Sequence, residues 1–392
     1  LGDVYKRQDF YIRYIMTVPP KRYSLVLSGG SARGAYEAGV LKYIFQTLYS
    51  EYGILPHFDI ICGTSVGAIH ACFLASHIKN IDHQLNRLLE IWKQLKPTTV
   101  ANLDLIQVYR WKDLLYGGHS SSGLLDTTPL RHLLNEEVDW PGLKSNVKSR
   151  FIDNVAISST SVRNGRTTVF CETNQQLPNS VFRTDFVNTE LSSQHVLASA
   201  SLPLLFPSIQ IDGEWFTDGG IRQNTPIAPA LAFGATHVFT VGLWHEHKRS
   251  NLIQHDDAPS IGTLVGKIFN SFFLDNAQYD LYNLETINDI IKSGEHMFPE
   301  STPFTKYRYI ETCSINPSEN IGLIANDYLS SSKYRHNKIY RTILKMIDVG
   351  SIEADLASYL LFDGDFANIL IDLGYNDAKQ NKYKILDFFG AV

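Results

Sequence analysis

The chain is 392 residues long, 44% hydrophobic and 19% charged, with a formal net charge of -5. That length can bury one large core or two smaller ones, and the charge balance excludes a global attraction to nucleic acid or to an anionic membrane. No run of about 18 apolar residues exists, so no helix is expected to span a bilayer. The four cysteines, Cys62, Cys72, Cys171 and Cys313, lack zinc-type spacing and read as reduced thiols in a cytosolic setting.

In chain order, Leu1 to Gln8 read as foreign to the fold and Met16 as a true start, so residues 1–16 are expected to be non-native or disordered. "FYIRYIMTV" is too short for a signal peptide and contains Arg13. "RYSLVLS" (Arg22–Ser28) and "HFDIICG" are short apolar runs ending at glycine turns, the pattern of buried strands. Each leads into helical spacing, Gly34–Tyr49 after the first and "VGAIHACFLASHI" after the second. Strand, turn and helix repeated twice predict a parallel sheet covered by helices.

An amphipathic helix is predicted over Asp82–Leu95, and another opening at Thr127 or Thr128 with Pro129 in its first turn. Asn164-Gly165 and Asp212-Gly213 mark two hairpins, "LSSQHVLASASLPLLF" reads as a helix broken at Pro203, and "HVFTVGLW" reads as a further buried strand. Beyond a soft boundary near residue 250, helices are predicted over Gly262–Ser293, Tyr334–Val349 and Phe366–Leu373. In Lys267–Leu284 the aromatics Phe269, Phe272, Phe273, Tyr279 and Tyr282 fit core packing, a cap over the active-site cleft, or contact with a bilayer.

The two glycine turns carry the chemistry. Gly29, Gly30 and Gly34 do not have dinucleotide-binding spacing, Glu51 does not end a second strand, and no P-loop is present. "GTSVG" puts Ser65 between Gly63 and Gly67 on a strand-to-helix turn, which lifts the hydroxyl out of the sheet as a nucleophile requires. "SGGSARG" can supply backbone N–H groups to an oxyanion, with Arg33 fixing the loop or adding positive potential. His195 lies on an apolar helix and reads as structural. The base is therefore His245 or His247 in a polar loop, or Asp218, exposed by its own turn before Gly219 and Gly220. No clustered His, Cys or carboxylate side chains suggest a metal, and no cofactor is indicated.

These blocks resemble the patatin-like phospholipases, in particular bacterial members. The resemblance rests on Gly29-Gly30-Ser31-Ala32-Arg33-Gly34, then Gly63-Thr64-Ser65-Val66-Gly67, "ASASLPLLFP" (Ala198–Pro207) and Asp218-Gly219-Gly220, in order over residues 23–226. It implies a three-layer α/β/α sandwich with a mainly parallel central sheet, covering a catalytic domain over 20–250 and followed by a mostly helical region over 258–392. It further implies a Ser–Asp dyad with Ser65 as nucleophile, Asp218 as proton acceptor and the Gly29–Arg33 turn as oxyanion hole. The activity implied is hydrolysis of phospholipids or other lipid esters through an acyl-enzyme. Acyl transfer on the same dyad, or lipid binding without catalysis, are the other readings. The implied location is cytoplasmic, with peripheral contact at the inner membrane surface; the oligomeric state stays open. Many members have a third glycine where Ser31 stands, and if that position needs a positive φ, serine costs about 1 kcal/mol there.

Overall fold

The computed structural model describes residues 20–102, 123, 125–180, 183–203, 205–245, 267–268, 270–271, 276–297, 307–331 and 354–391. Residues 1–16, expected to be non-native or disordered, the helix over Tyr334–Val349, His247, and the aromatics Phe269, Phe272 and Phe273 lie outside these residues.

The two apolar runs form β1 (Tyr23–Leu27) and β2 (Ile60–Thr64), paired in parallel with Leu27 opposite Gly63. β3 (Asn154–Ser161) continues the sheet in parallel beside β2. β4 (Thr167–Thr173) returns antiparallel through the Asn164-Gly165 turn, and β5 (Thr184–Asn188) pairs with it. β6 (Ile209–Ile211) and β7 (Glu214–Asp218) form the second hairpin, where Asp212 and Gly213 both take positive φ, 49° and 84°, as a tight two-residue turn requires. β8 (His237–Val241) lies parallel to β1 on its other side, and β9 (Glu311–Ile315) parallel to β8. The order is β5-β4-β3-β2-β1-β8-β9, with β7 joined to β3. β9 was not foreseen: the C-terminal region is mainly helical but also contributes a strand to the central sheet.

Helices cover both faces. α1 (Ala35–Lys42) and α2 (Val66–His77) follow the two glycine turns, and α3 (Ile81–Lys93) buries the predicted stripe of Leu85, Leu88, Leu89 and Trp92. α4 (Thr128–Glu137) has proline in its first turn. α5 (Trp140–Lys148), which the sequence reading passed over, is opened by Asp139 accepting the Gly142 N–H. α6 (Ser193–Ser199) ends ahead of Pro203, and α7 (Ile227–Ala232) is another helix not anticipated. α8 (Asn276–Met297), α9 (Ile321–Ser330), α10 (Asp355–Leu360), α11 (Gly364–Gln380) and α12 (Lys382–Phe388) complete the described helices used below.

Alternation along the strands sorts the core in two. Leu25, Leu27, Ile61, Val155 and Ile157 pack with α1, α2, α3 and α11, whereas Val26, Ile60, Cys62 and Ala156 pack with α7 and α8. Both strand faces are buried, which is why these strands read as continuous apolar runs. On the first face, α1 and α11 touch backbone to backbone. A Cβ on Gly39 would lie 2.0 Å from the Ile371 carbonyl oxygen, and one on Gly374 would lie 2.1 Å from that of Tyr36. All four cysteines are free and buried. Among the described residues no helix is long and apolar enough to cross a membrane.

Candidate active site

β3 is the strand on which the site is aligned. Its Ser158 is opposite Thr64, the last residue of β2; its next residue, Ser159, is opposite Asp218, the last residue of β7. β2 runs parallel to β3 and β7 antiparallel, so the two strands approach end to end along the same flank. Ser65 and Asp218, far apart in sequence, therefore follow directly from adjacent register positions.

Ser65 takes φ 55° and ψ -120°, a strained conformation, and is 6% exposed. Its carbonyl accepts from Ala68 and Ile69, starting α2 at the turn. The turn is tight because a Cβ on Gly67 would fall 2.3 Å from the Leu27 carbonyl oxygen of β1, and one on Gly63 would meet the Gly67 carbonyl oxygen at 2.2 Å. The helix thus starts in contact with both strands. Ser199, at the end of α6, accepts the Ser65 N–H at 2.9 Å and donates to the Ser158 carbonyl at 2.6 Å.

Asp218 is 1% exposed. Its Oδ1 accepts the Gly220 N–H at 2.7 Å, and its Oδ2 has no partner in hydrogen-bond geometry among the described residues. The Ser65 side chain is nonetheless near enough to favour the charged form, as the Gly220 N–H does. Burial outweighs both and pushes the carboxyl up to about 7. The carboxyl backbone is fixed by the Asp218 N–H on the Ser201 carbonyl at 3.0 Å and by Thr160 Oγ1 on the Asp218 carbonyl at 2.9 Å. Gly219 presses on β3: a Cβ there would lie 2.1 Å from the Ser158 carbonyl oxygen.

The first glycine turn lies beside the second. A Cβ on Gly29 would be 3.2 Å from the Ser65 Cβ, and one on Gly34 would be 2.4 Å from Val66 Cγ2. Gly29 is held on both sides by Asn224, whose carbonyl accepts the Gly29 N–H at 3.0 Å and whose Nδ2 donates to the Gly29 carbonyl at 2.9 Å. Ser31 has φ 53°, so the positive φ considered for it is present, at a cost of about 1 kcal/mol. The N–H groups of Gly30 and Ser31 enter none of the backbone hydrogen bonds among the described residues, whereas the Arg33 N–H is taken by the Gly30 carbonyl.

The Arg33 side chain is buried and turned toward the C-terminal region. Nε donates to Ser358 Oγ at 2.8 Å, Nη2 lies 3.5 Å from Asp355 Oδ1, and the guanidinium stacks 4.0 Å from the Tyr359 ring centre. Of the two roles considered for it, this is loop fixation.

Ser31 and Ser65 open onto one apolar cavity, walled by residues of α2, α3 and α4 such as Val66, Phe73, Leu88, Trp92 and Leu134. His245 lines a different cavity, with Trp244, Tyr279 and Tyr282, and its Nδ1 meets the Pro317 carbonyl at 3.1 Å. His195 caps its own helix through Ser192, the structural role expected. Tyr279 and Tyr282 are each 66% exposed, so these two aromatics are not core. Among the described residues no three His, Cys, Asp or Glu side chains gather as a metal would require.

Sequence reasoning missed Ser199 and Asn224. The small-residue block "ASAS" carried Ser199 unrecognised, and Asn224 follows the Asp-Gly-Gly turn without any distinguishing pattern.

The chain is similar to the cGAMP-activated phospholipase of Pseudomonas aeruginosa (strain BWHPSA011 / Pa011), at 29% identity over 54% of this chain and 56% of that protein. It is similar to triacylglycerol lipase 4 of Saccharomyces cerevisiae, at 26% identity over 53% of this chain and 22% of that protein. The matches thus span little more than half of the first relative and less than a quarter of the second. The crystal structure of VipD from Legionella pneumophila aligns with a TM-score of 0.37 and 14% identity, over 92% of this chain and 66% of that one. The Patatin family model, described as patatin-like phospholipase, matches residues 25–231, more than half of the sequence. The chain belongs to the patatin-like phospholipase family.

Proposed function

We propose that this protein is a serine-dependent lipid acyl hydrolase that cleaves phospholipids or other lipid esters through an acyl-enzyme on Ser65. The observation that carries the reading is the end-to-end approach of β2 and β7 along β3, which brings a buried Asp218 beside Ser65, and Ser65 lines an apolar cavity.

Each element then has a role. Ser65 Oγ attacks the ester carbonyl while Asp218 takes its proton. A carboxyl poised at about 7 is a far better base than a solvated aspartate, and close to the operating pH that general-base catalysis favours. The N–H groups of Gly30 and Ser31 receive the developing oxyanion. Asp218 returns the proton to the leaving alcohol and then activates the water that hydrolyses the acyl-enzyme. The acyl chain occupies the cavity lined by Val66, Phe73 and Leu134. The phospholipase and lipase names of the two sequence relatives support the substrate class.

A fluorophosphonate probe followed by peptide mapping tests the nucleophile, and a panel of phospholipids and neutral glycerides tests the substrate. Labelling at Ser65, lost in Ser65→Ala, is expected. Equal labelling and turnover in Ser65→Ala would overturn the reading.

A further inference from the structure

Beneath the two turns lies a buried polar chain that the proposed chemistry does not use. Glu37, on α1, is fully buried; its Oε1 accepts the Ser28 N–H at 2.7 Å and its Oε2 meets His70 Nδ1 at 2.8 Å. His70, on α2, is also fully buried, and its Nε2 lies 3.0 Å from Trp92 Nε1 on α3. An indole N–H can only donate, so His70 Nε2 accepts and its ring proton sits on Nδ1, directed at Glu37. Ser28 immediately precedes Gly29, and α2 starts directly after Ser65. The chain therefore links the strand end that carries the oxyanion turn to the helix that carries the nucleophile.

We infer that Glu37, braced by His70, is a positioning residue that sets the spacing between the Gly29–Ser31 turn and Ser65; this rests on the acyl-enzyme reading above. Three observations favour it. The Gly29–Ser31 turn has only small side chains, and Ser31 holds a left-handed φ of 53°, a conformation that persists where surrounding contacts over-determine it. The Ser28 N–H lies just past the last β1 pairs and is taken by Glu37, while the Ser28 hydroxyl takes the Val241 carbonyl of β8 at 2.9 Å. A buried carboxylate–imidazole link adds little net stability over apolar side chains of the same volume, so its use here points to geometry. An ångström of misplacement between nucleophile and oxyanion donors costs on the order of 10²-fold in rate.

The chemistry of the chain gives a directional test. In Glu37→Gln the amide oxygen still accepts from Ser28, but the amide N–H₂ confronts the Nδ1 proton of His70. Turning His70 to its other tautomer only moves the conflict to the Trp92 N–H. Removing that N–H in Glu37→Gln/Trp92→Phe releases it. The expected result is a folded Glu37→Gln enzyme whose kcat falls roughly 10- to 100-fold with KM little changed. The double variant should exceed Glu37→Gln in kcat, with Trp92→Phe alone as the baseline for the altered cavity wall. Affinity for a trifluoromethyl ketone, which forms the tetrahedral adduct, should fall in step with kcat, while affinity for a non-hydrolysable ether lipid should not. A Glu37→Gln kcat within twofold of wild type, or a loss confined to KM, would overturn the inference. Should Glu37→Gln fail to fold, His70→Gln, which retains both hydrogen bonds, is compared with His70→Leu: at least a tenfold higher kcat in the former supports the inference, and equal values overturn it. Ser65→Ala run alongside separates the two proposals. Turnover surviving there defeats the nucleophile itself, whereas an inactive Ser65→Ala beside a fully active Glu37→Gln defeats only the positioning role.

Discussion

The Ser199 hydroxyl accepts the Ser65 N–H at 2.9 Å while donating to the carbonyl of Ser158 on β3 at 2.6 Å. A single side chain therefore ties the strained elbow to the strand that also aligns β7. Ser199→Ala leaves the Ser65 N–H buried without its partner, a penalty of about 1–3 kcal/mol. The expected outcome is a lower urea midpoint with a loss of kcat larger than the loss of affinity. Equilibrium unfolding and steady-state kinetics on the one variant check both.

Asp218→Asn should fold and lose about 10²- to 10⁴-fold in turnover, because an amide cannot accept the proton. His245→Ala should keep most activity, since that ring faces the Pro317 carbonyl and a different cavity. In the wild type, kcat/KM should rise as pH passes about 7, the value to which burial pushes the Asp218 carboxyl. A His245→Ala enzyme as inactive as Ser65→Ala, yet folded, would replace the dyad by a triad.

The same carboxyl gives stability a pH dependence of opposite sign. Its folded value, about 7, lies above its ordinary value of 3.8. The stability it contributes is complete below about 4 and declines as pH rises to about 7, because the unfolded chain ionises first. Asparagine does not titrate. The melting temperature of Asp218→Asn relative to wild type should therefore climb between pH 4 and pH 7 and level off above, which scanning calorimetry at three pH values measures.

Arg33 binds the first glycine turn to α10 through Ser358, Asp355 and Tyr359, and Lys267 holds the other oxygen of Asp355 at 2.9 Å. Arg33→Lys keeps the charge but cannot reproduce the fork and the ring stacking. A cost of about 1–3 kcal/mol is expected from the unsatisfied buried partners. Arg33→Ala, which takes the buried guanidinium away from Asp355, should cost more, about 3–5 kcal/mol. Urea unfolding ranks the two.

Leu134 of α4 lines the cavity shared by Ser31 and Ser65. Leu134→Trp should shorten the acyl chain accepted: kcat/KM for a butyryl ester stays within a few fold while that for a palmitoyl ester falls at least tenfold. A chain-length series of p-nitrophenyl esters reads the change.

The strands and turns of the first half were legible because each combines an apolar run with a glycine whose necessity is local. Gly63 and Gly67 sit where a Cβ would strike backbone. The approach of Asp218 to Ser65 was beyond local reasoning, since it depends on the register of β3 against two strands of opposite direction. Ser199, Asn224 and Glu37 were invisible for a related reason. Serine, asparagine and glutamate in helices and turns are ordinary until the fold brings a buried N–H or carbonyl to them. β9 escaped because its short run begins at Glu311 and stands among charged and polar residues, without the glycine punctuation that marks β1 and β2.

The contact of Gly39 with Ile371, and of Gly374 with Tyr36, joins a helix near the start of the described chain to one near its end. During synthesis the ribosome releases α1 long before α11 exists, and β8 likewise precedes β9. A nascent chain with its first helix complete must therefore leave that glycine-lined face uncovered until the last helices emerge. Closing contacts over such sequence separations pays loop entropy before any packing is gained, which makes folding slow and the partial chain sticky. In the cell the protein should accordingly depend on chaperones, and fragments ending before α11 should aggregate even when they contain both Ser65 and Asp218.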